Sequence, residues 1–193
     1  RWRSLIIPAL GLALYVAIAA SPDALSGVLK ALFPAEARVL YPDATPLELV
    51  WQHVRLVGLS SVLSILLGVG MGVFVTRPAG EQFAGVVSDL TNLGQTFPPV
   101  AVFTLAVPLL GFGLEPTVLA LTLYGVLPVL QNTVAGLEGV SAEVLESAVG
   151  MGMRPGQRLA RVELPLAAPL IMAGVRVSVI VNVATATIGA VAG

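Results

Sequence analysis

The sequence contains no cysteine and one histidine, and only 11% of its 193 residues are charged. Without cysteine there are no disulfides, thiolate metal ligands or thiol nucleophiles. One histidine and scattered carboxylates do not provide the spacing of a catalytic triad or a metal site. A net charge of −1 provides no basic stripe for nucleic acid. The phosphate-binding pattern GxxxxGK[ST] is also missing, so we expect neither catalysis nor ATP binding by this chain itself.

The residues that are abundant are apolar. The hydrophobic fraction is 56% and the mean hydropathy is +0.94, outside the range of ordinary soluble domains. A membrane helix needs about 20 mostly apolar residues, and the alternating strand pattern of a transmembrane barrel is not seen. The sequence therefore predicts an all-α, polytopic transmembrane helix bundle. Its expected spans are residues 4–20, 46–76, 81–110, 116–137 and 164–193.

The first apolar segment, 4–20, follows two arginines and ends in small residues. This pattern fits either a first membrane helix or a cleaved signal peptide. The polar connection 21–45 comes next, with a short helix expected at 24–32. We divide the chain into 1–45, an N-terminal helix with an outer connection, and 46–193, the main membrane unit.

The arginines predict the orientation, because short cytosolic loops of membrane proteins are rich in lysine and arginine. With the N-terminus in the cytosol, alternating spans place Arg1, Arg3, Arg77, Arg154, Arg158 and Arg161 inside. Only Lys30 and Arg38 fall in the outer connection, with Arg55 near the outer end of a span. The loop between the last two spans is therefore predicted to be cytosolic.

Two patterns inside the spans concern packing. Small residues recur every fourth position at Ser60, Ser64, Gly68 and Gly72. They line up on one helical face and let a neighbouring backbone approach closely, unless they reflect only the ordinary abundance of small residues in membrane helices. The segment GQTFPPV, 94–100, breaks the third span with two prolines. Irregular backbone at that depth is tolerated only where protein or a water-filled cavity covers it.

The break therefore either borders a translocation path or kinks the helix to shape the bundle. Pro128, followed by Asn132, allows the same two interpretations. Arg176, near the middle of the last span, could pair with Asp89, snorkel, face a wet cavity or act at a gate. The candidate path residues are Gln95, Phe97, Pro98, Asn132, Arg176 and Asn182.

The predicted cytosolic loop contains an amphipathic helix that starts near Ser141, an acceptable N-cap. Val144, Leu145, Ala148 and Val149 share its apolar face, while Glu143, Glu146, Ser147 and Gly150 share the other. Gly150 and Gly152 end this helix, and Pro155 suits the first turn of a second one. From the pattern alone, the segment could equally lie on lipid, with its arginines at anionic headgroups.

This segment resembles a known motif. Glu146, Ala148, Gly152, Val162, Leu164 and Pro165 fall on the spacing of the EAA motif of ABC importer permease subunits, with Ser147 where alanine is usual. The resemblance implies a type I ABC importer permease fold, whose cytosolic coupling helix contacts an ATPase. The residues implied in that contact are Glu143, Glu146, Ser147, Ala148, Gly150, Gly152, Arg154 and Arg158.

The resemblance covers residue 48 to the end. The stretches LGQTFPPVAV, GMGMRPGQRLARVELPLAAPLIMAGVR and TATIGA are similar to the branch that imports glycine betaine, choline and carnitine. That family usually continues past ATIGAVAG into one more membrane helix, so a truncated or partly ordered chain is expected.

The family also implies partners: ATP-binding cassette subunits that bind ATP and Mg²⁺, a second permease copy, an extracytoplasmic substrate-binding protein and the lipid of a bacterial or archaeal cytoplasmic membrane. No cofactor or metal is expected in this chain. Two other functions stay open. A secondary transporter or channel would need intramembrane carboxylates or an internal repeat, and a membrane scaffold would use the loop only to recruit a soluble partner.

Overall fold

A computed structural model describes residues 3–36 and 38–187, and in these ranges the regular structure is entirely helical. By contacts the chain divides into two units, Arg1–Arg55 and Leu56–Gly193. Arg1, which was used to predict the orientation, and the terminal GAVAG, which belongs to the predicted last span, lie outside the described residues.

The first unit contains two helices and the beginning of a third. Helix α1 covers Arg3–Ala19 and α2 covers Pro22–Leu32, and their axes meet at 95°. Helix α2 has proline at its start, Asp23 in its first turn and Lys30 in its last. Both charges complement the helix dipole. The bounds of α2 confirm the short helix expected at 24–32.

The second unit contains the remaining elements. Helix α3 covers Pro46–Val75, beginning in the first unit and continuing into the second. It is followed by a 3₁₀ helix Glu81–Phe83, α4 Ala84–Thr96, α5 Pro99–Leu110, α6 Leu114–Glu138, α7 Ala142–Gly150, α8 Pro155–Arg158, a π helix Leu159–Glu163 and α9 Leu164–Ala186.

Three stretches of the described chain are long and apolar enough to cross a membrane: α3, α6 and the continuous helical stretch Pro155–Ala186. Helices α1 and α2 give a fourth if the bent pair counts as one span. The chain is thus a multi-pass membrane protein. Five spans were expected, and the one expected at 81–110 consists of two shorter helices, α4 and α5.

That division lies where two prolines predicted it. Phe97 and Pro98 adopt extended conformations between the two helices, with ψ of 130° and 138°. The hydroxyl of Tyr124 on α6 donates a hydrogen bond to the carbonyl of Phe97. This hydrogen bond satisfies one of the backbone groups that the break frees.

Helix α3 packs on α6 through its stripe of small residues. Ser60, Ser64, Gly68 and Gly72 are all buried. A Cβ atom added at Gly68 would lie 2.7 Å from the Cβ of Val129, and one at Gly72 would lie 2.7 Å from the Cβ of Thr133. Only hydrogen fits at these two positions, so the close packing predicted from the four-residue spacing is confirmed.

Helix α9 approaches α6 in the same way from its own glycine. A Cβ at Gly174 would lie 2.6 Å from the carbonyl oxygen of Pro128 and 2.7 Å from the Cβ of Asn132. Helix α6 is consequently packed between α3 and α9, and its buried residues include Leu121, Val129 and Thr133.

Candidate functional site

Helix α7 begins with a cluster of hydrogen bonds around Glu143. The backbone amide of Glu143 and the hydroxyl of Ser141 both donate to the Glu143 carboxylate, which lowers the pKa of this group below its usual range. The Ser147 hydroxyl donates to the Glu143 carbonyl at 2.7 Å. Ser141 has the extended backbone of an N-cap, but its hydroxyl donates to the Glu143 carboxylate and does not cap a helix amide. Glu143 is therefore ionised near the helix N-terminus, where the dipole favours negative charge.

One face of α7 is open. Ala148 is buried and Leu145 is half-buried, whereas Glu143, Glu146, Ser147 and Gly150 are exposed, as their spacing predicts. Val144 and Val149 were expected on the apolar face, yet Val149 is 54% exposed, and so is the neighbouring Met151, at 69%. Carboxylates beside exposed apolar side chains form the mixed surface that protein interfaces use. We call residues 142–158, which include this surface, the coupling segment.

The C-terminal turn of α7 fixes where this face ends. Gly152 has φ +75°, a left-handed conformation that favours glycine. The Gly152 amide donates to the Val149 carbonyl at 2.8 Å, and the Met153 amide donates to the Ala148 carbonyl at 3.1 Å. This is a Schellman motif, which satisfies the last carbonyls of the helix. Gly152 is thus the residue that ends α7, while Gly150 is its last helical residue.

The two arginines predicted to face the ATPase have different environments. The Arg154 side chain is exposed, and its backbone amide donates to Gln157 Oε1 at 3.0 Å at the start of α8. Arg158 instead pairs within the chain, with its Nε 2.8 Å from Glu163 Oε1. Arg154 is therefore the more available of the two for a contact outside the chain.

Glu163 is the residue that the sequence did not single out. Its side chain is 4% exposed, and its second carboxylate oxygen lies 2.5 Å from Nη2 of Arg77, which follows α3. Arg77 and Glu163 are 86 residues apart in the chain. The only sequence signal was a carboxylate inside an otherwise apolar VELP stretch, which does not identify a partner.

The candidate path residues occupy different surroundings. Phe97 and Pro98 are exposed at the break between α4 and α5, and Asn132 is half-buried with its amide donating to the Pro128 carbonyl at 2.8 Å. Gln95 lies on α4, and its side chain is outside the described set. Among the described side chains, no hydrogen bond or ion pair joins these residues to one another. The structure does not gather them into one site.

Asn182 lies in the interior of the bundle. It is fully buried, and its amide donates to Ser61 Oγ at 3.1 Å, which links α9 to α3. A Cβ added at Gly125 of α6 would lie 2.9 Å from the Asn182 amide nitrogen. Asn182 thus bonds α9 to α3 and lies close to α6.

The possible ion pair between Asp89 and Arg176 is not formed. Both side chains are exposed, and the ion pairs found over the described ranges are those of Glu163 with Arg77 and Arg158. In the same ranges, no three His, Asp or Glu side chains are grouped to hold a metal ion.

A bundle of membrane-spanning helices with an exposed EAA-type turn defines a class of transport proteins. Residues 49–193 match the family described as "Binding-protein-dependent transport system inner membrane component". The chain belongs to this family. Its membership confirms the ABC permease resemblance.

Two relatives with named transport systems are similar to most of this chain. The chain is 42% identical over 135 residues to the osmoprotectant import permease protein OsmY of Salmonella typhimurium, covering 70% of this chain and 57% of the relative. It is 41% identical over 143 residues to the choline transport system permease protein OpuBB of Bacillus subtilis, covering 74% of this chain and 65% of the relative. The chain therefore spans less than two thirds of the length of either relative.

The fold has a solved counterpart. The MetNI methionine ABC transporter, in an inward-facing conformation, superposes with a TM-score of 0.65 at 23% identity, over 75% of this chain and 73% of that one. The likeness confirms the type I ABC importer permease fold predicted for this chain.

Proposed function

We propose that the chain is a permease subunit of an ATP-driven ABC importer and that it forms the translocation path for a small quaternary-amine osmoprotectant such as glycine betaine, choline or carnitine. The observation that carries this proposal is the exposed acidic and small face of α7, which ends at the Gly152 turn and has EAA spacing. The names of OsmY and OpuBB support the solute class.

The proposal includes the partners. An ATP-binding cassette ATPase holds ATP and Mg²⁺ and receives α7, and this chain is itself non-catalytic. A second permease copy completes the path, and an extracytoplasmic binding protein delivers the solute, with the outer connection 21–45 on its side. The complex lies in a bacterial or archaeal cytoplasmic membrane. Glu143, Glu146, Ser147 and Arg154 are available for the ATPase contact because all four are exposed.

The coupling segment is continuous with a membrane helix. Helix α8 continues through the π helix into α9 as one helical stretch, Pro155–Ala186. Displacement of the coupling segment by closing ATPase subunits would therefore act directly on a membrane helix. ATP can favour one conformation of the bundle only through contacts that differ between the two conformations.

The test is ATP hydrolysis in vesicles that contain the chain, its cognate ATPase and its binding protein. We expect glycine betaine, choline or carnitine to stimulate hydrolysis and to be taken up, with methionine as the control solute. Basal hydrolysis without a response to any of these would discard the solute class and keep the permease. Uptake without an ATPase would favour a secondary transporter, while ATPase recruitment without ATP-driven uptake would favour a scaffold.

Reversing one charge tests the contact itself. Glu146→Lys should leave the chain in the membrane and lower ATP-driven uptake by about tenfold, the effect of losing 1.4 kcal/mol of binding. Glu138→Lys is the matched control, because Glu138 is also exposed and ends α6, outside α7. Equal uptake in the two variants, measured at equal amounts of inserted protein, would refute the role of α7.

A further inference from the structure

Glu163 joins elements that are distant in the chain. One carboxylate oxygen binds Arg158 of α8 at 2.8 Å, and the other binds Arg77, two residues beyond the end of α3, at 2.5 Å. Glu163 is also the last residue of the π helix that leads into α9. A single side chain therefore connects the coupling segment, α3 and α9.

The charges of this cluster are unusual for a simple structural contact. The Glu163 side chain is 4% exposed, whereas those of Arg77 and Arg158 are 25% and 27% exposed. Two guanidinium groups share one carboxylate, and Nε of Arg77 is buried without a hydrogen-bond partner. Buried ion pairs add little net stability, because desolvation offsets the attraction, but they favour one arrangement over others. The cluster is better suited to fixing geometry than to stabilising the fold.

The π helix is a second, independent feature at the same place. Residues 159–163 depart from α-helical hydrogen bonding between α8 and α9. A π segment within a helix shifts the direction of the side chains that follow it, and such segments are frequent at functional sites. Here it lies within a helix that runs from the coupling segment into the membrane.

We propose that Glu163 is a positioning residue that fastens the coupling segment to the end of α3, so that displacement of α7 moves α3 and α9 together. The Arg158 arm is local, five residues away on the same helical stretch. The ion pair of Glu163 with Arg77 joins distant elements, and we propose that it transmits the displacement of α7 to α3. The inference rests on the proposed function, since it assumes that α7 receives the ATPase.

Arg77→Gln is the sharpest test, because it cuts the link to α3 and leaves the pair of Arg158 and Glu163 intact. In vesicles with the complete transporter, we expect the solute transported per ATP hydrolysed to fall about tenfold, within the usual range of coupling between sites. Assembly and basal hydrolysis should be unchanged. Glu163→Gln should act in the same direction. Arg161→Gln is the matched control, an exposed arginine in the same π helix.

A distance measurement separates positioning from a general loss of structure. The chain has no cysteine, so spin labels at Met71→Cys on α3 and Gly156→Cys on α8 are its only thiol labels. Gly156 has open space around its Cα, and Met71 is 38% exposed. In the complete transporter with cysteine-free partners, we expect a narrow distance distribution, which Arg77→Gln broadens and Arg161→Gln does not.

The outcomes separate the two proposals. If the unmodified chain shows no ATP-driven uptake of glycine betaine, choline or carnitine, the proposed solute class fails, and the label distances still test the positioning role. If the unmodified chain does take up solute with ATP, and Arg77→Gln matches Arg161→Gln in transport per ATP and in label distances, only the positioning role is wrong. Loss of ATPase assembly in Arg77→Gln would also overturn it, because Arg77 would then support the docking surface and not its movement.

Discussion

At the residue scale, Gly152 determines the shape of the proposed docking face. Its φ of +75° allows the two hydrogen bonds that end α7, whose last helical residue is Gly150. A side chain at this position would strain the backbone even though no atom lies within 4 Å of an added Cβ. The constraint on Gly152 is therefore conformational and not a matter of space.

Gly152→Ala should loosen the end of α7. The left-handed backbone costs a non-glycine residue about 1 kcal/mol, so amide hydrogen exchange over residues 150–153 should become about fivefold faster. Gly156→Ala provides the control, since Gly156 also has open space around it but has no positive φ. Equal exchange in the two variants would show that the turn does not depend on the glycine conformation.

At the element scale, the bundle depends on the contact of α3 with α6 and of α9 with α6. Both contacts use glycine to bring backbones together, at Gly68 and Gly72 on α3 and at Gly174 on α9. Within lipid, close packing of this kind is a main source of helix association, because there is little hydrophobic driving force between helices. Small changes in side-chain volume at these points should therefore be costly.

Gly68→Ala should destabilise the bundle by about 1–3 kcal/mol, the usual cost of overpacking, because its Cβ would lie 2.7 Å from that of Val129. Thermal unfolding in detergent measures the change. Gly70→Ala, on the same helix with open space around it, should have little effect. Equal unfolding temperatures for Gly68→Ala and Gly70→Ala would contradict this packing role of Gly68.

At the scale of the whole molecule, the arginines and the apolar helices predict one orientation in the membrane. Segment 21–45 is predicted outside and the coupling segment inside. Each has an exposed side chain suited to labelling, Tyr41 at 60% and Met151 at 69%. Because cysteine is absent, a single substitution creates a unique thiol.

In intact cells that express the chain without its ATPase, a membrane-impermeant thiol reagent should label Tyr41→Cys and not Met151→Cys. After permeabilisation both should react, which shows that the second thiol is accessible. Labelling of Met151→Cys before permeabilisation would reverse the orientation and place the EAA turn on the wrong side for an ATPase.

The sequence by itself determined the class and much of the local structure. Apolar composition requires helices that satisfy their own backbone in lipid, and the four-residue spacing of Ser60, Ser64, Gly68 and Gly72 predicted the packed face of α3. Prolines 98 and 99 predicted the break between α4 and α5, and the EAA spacing predicted the family. All of these are properties of one segment and its near neighbours, which is why they can be read from the sequence.

Only the tertiary structure decided which distant side chains meet. It paired Glu163 with Arg77, placed Asn182 against Ser61, and left Arg176 apart from Asp89. Each outcome depends on how helices rotate and cross when their small residues make contact. Helical periodicity gives the relative direction of side chains on one helix but not the neighbour that each direction faces, so long-range pairs of this kind follow from packing alone.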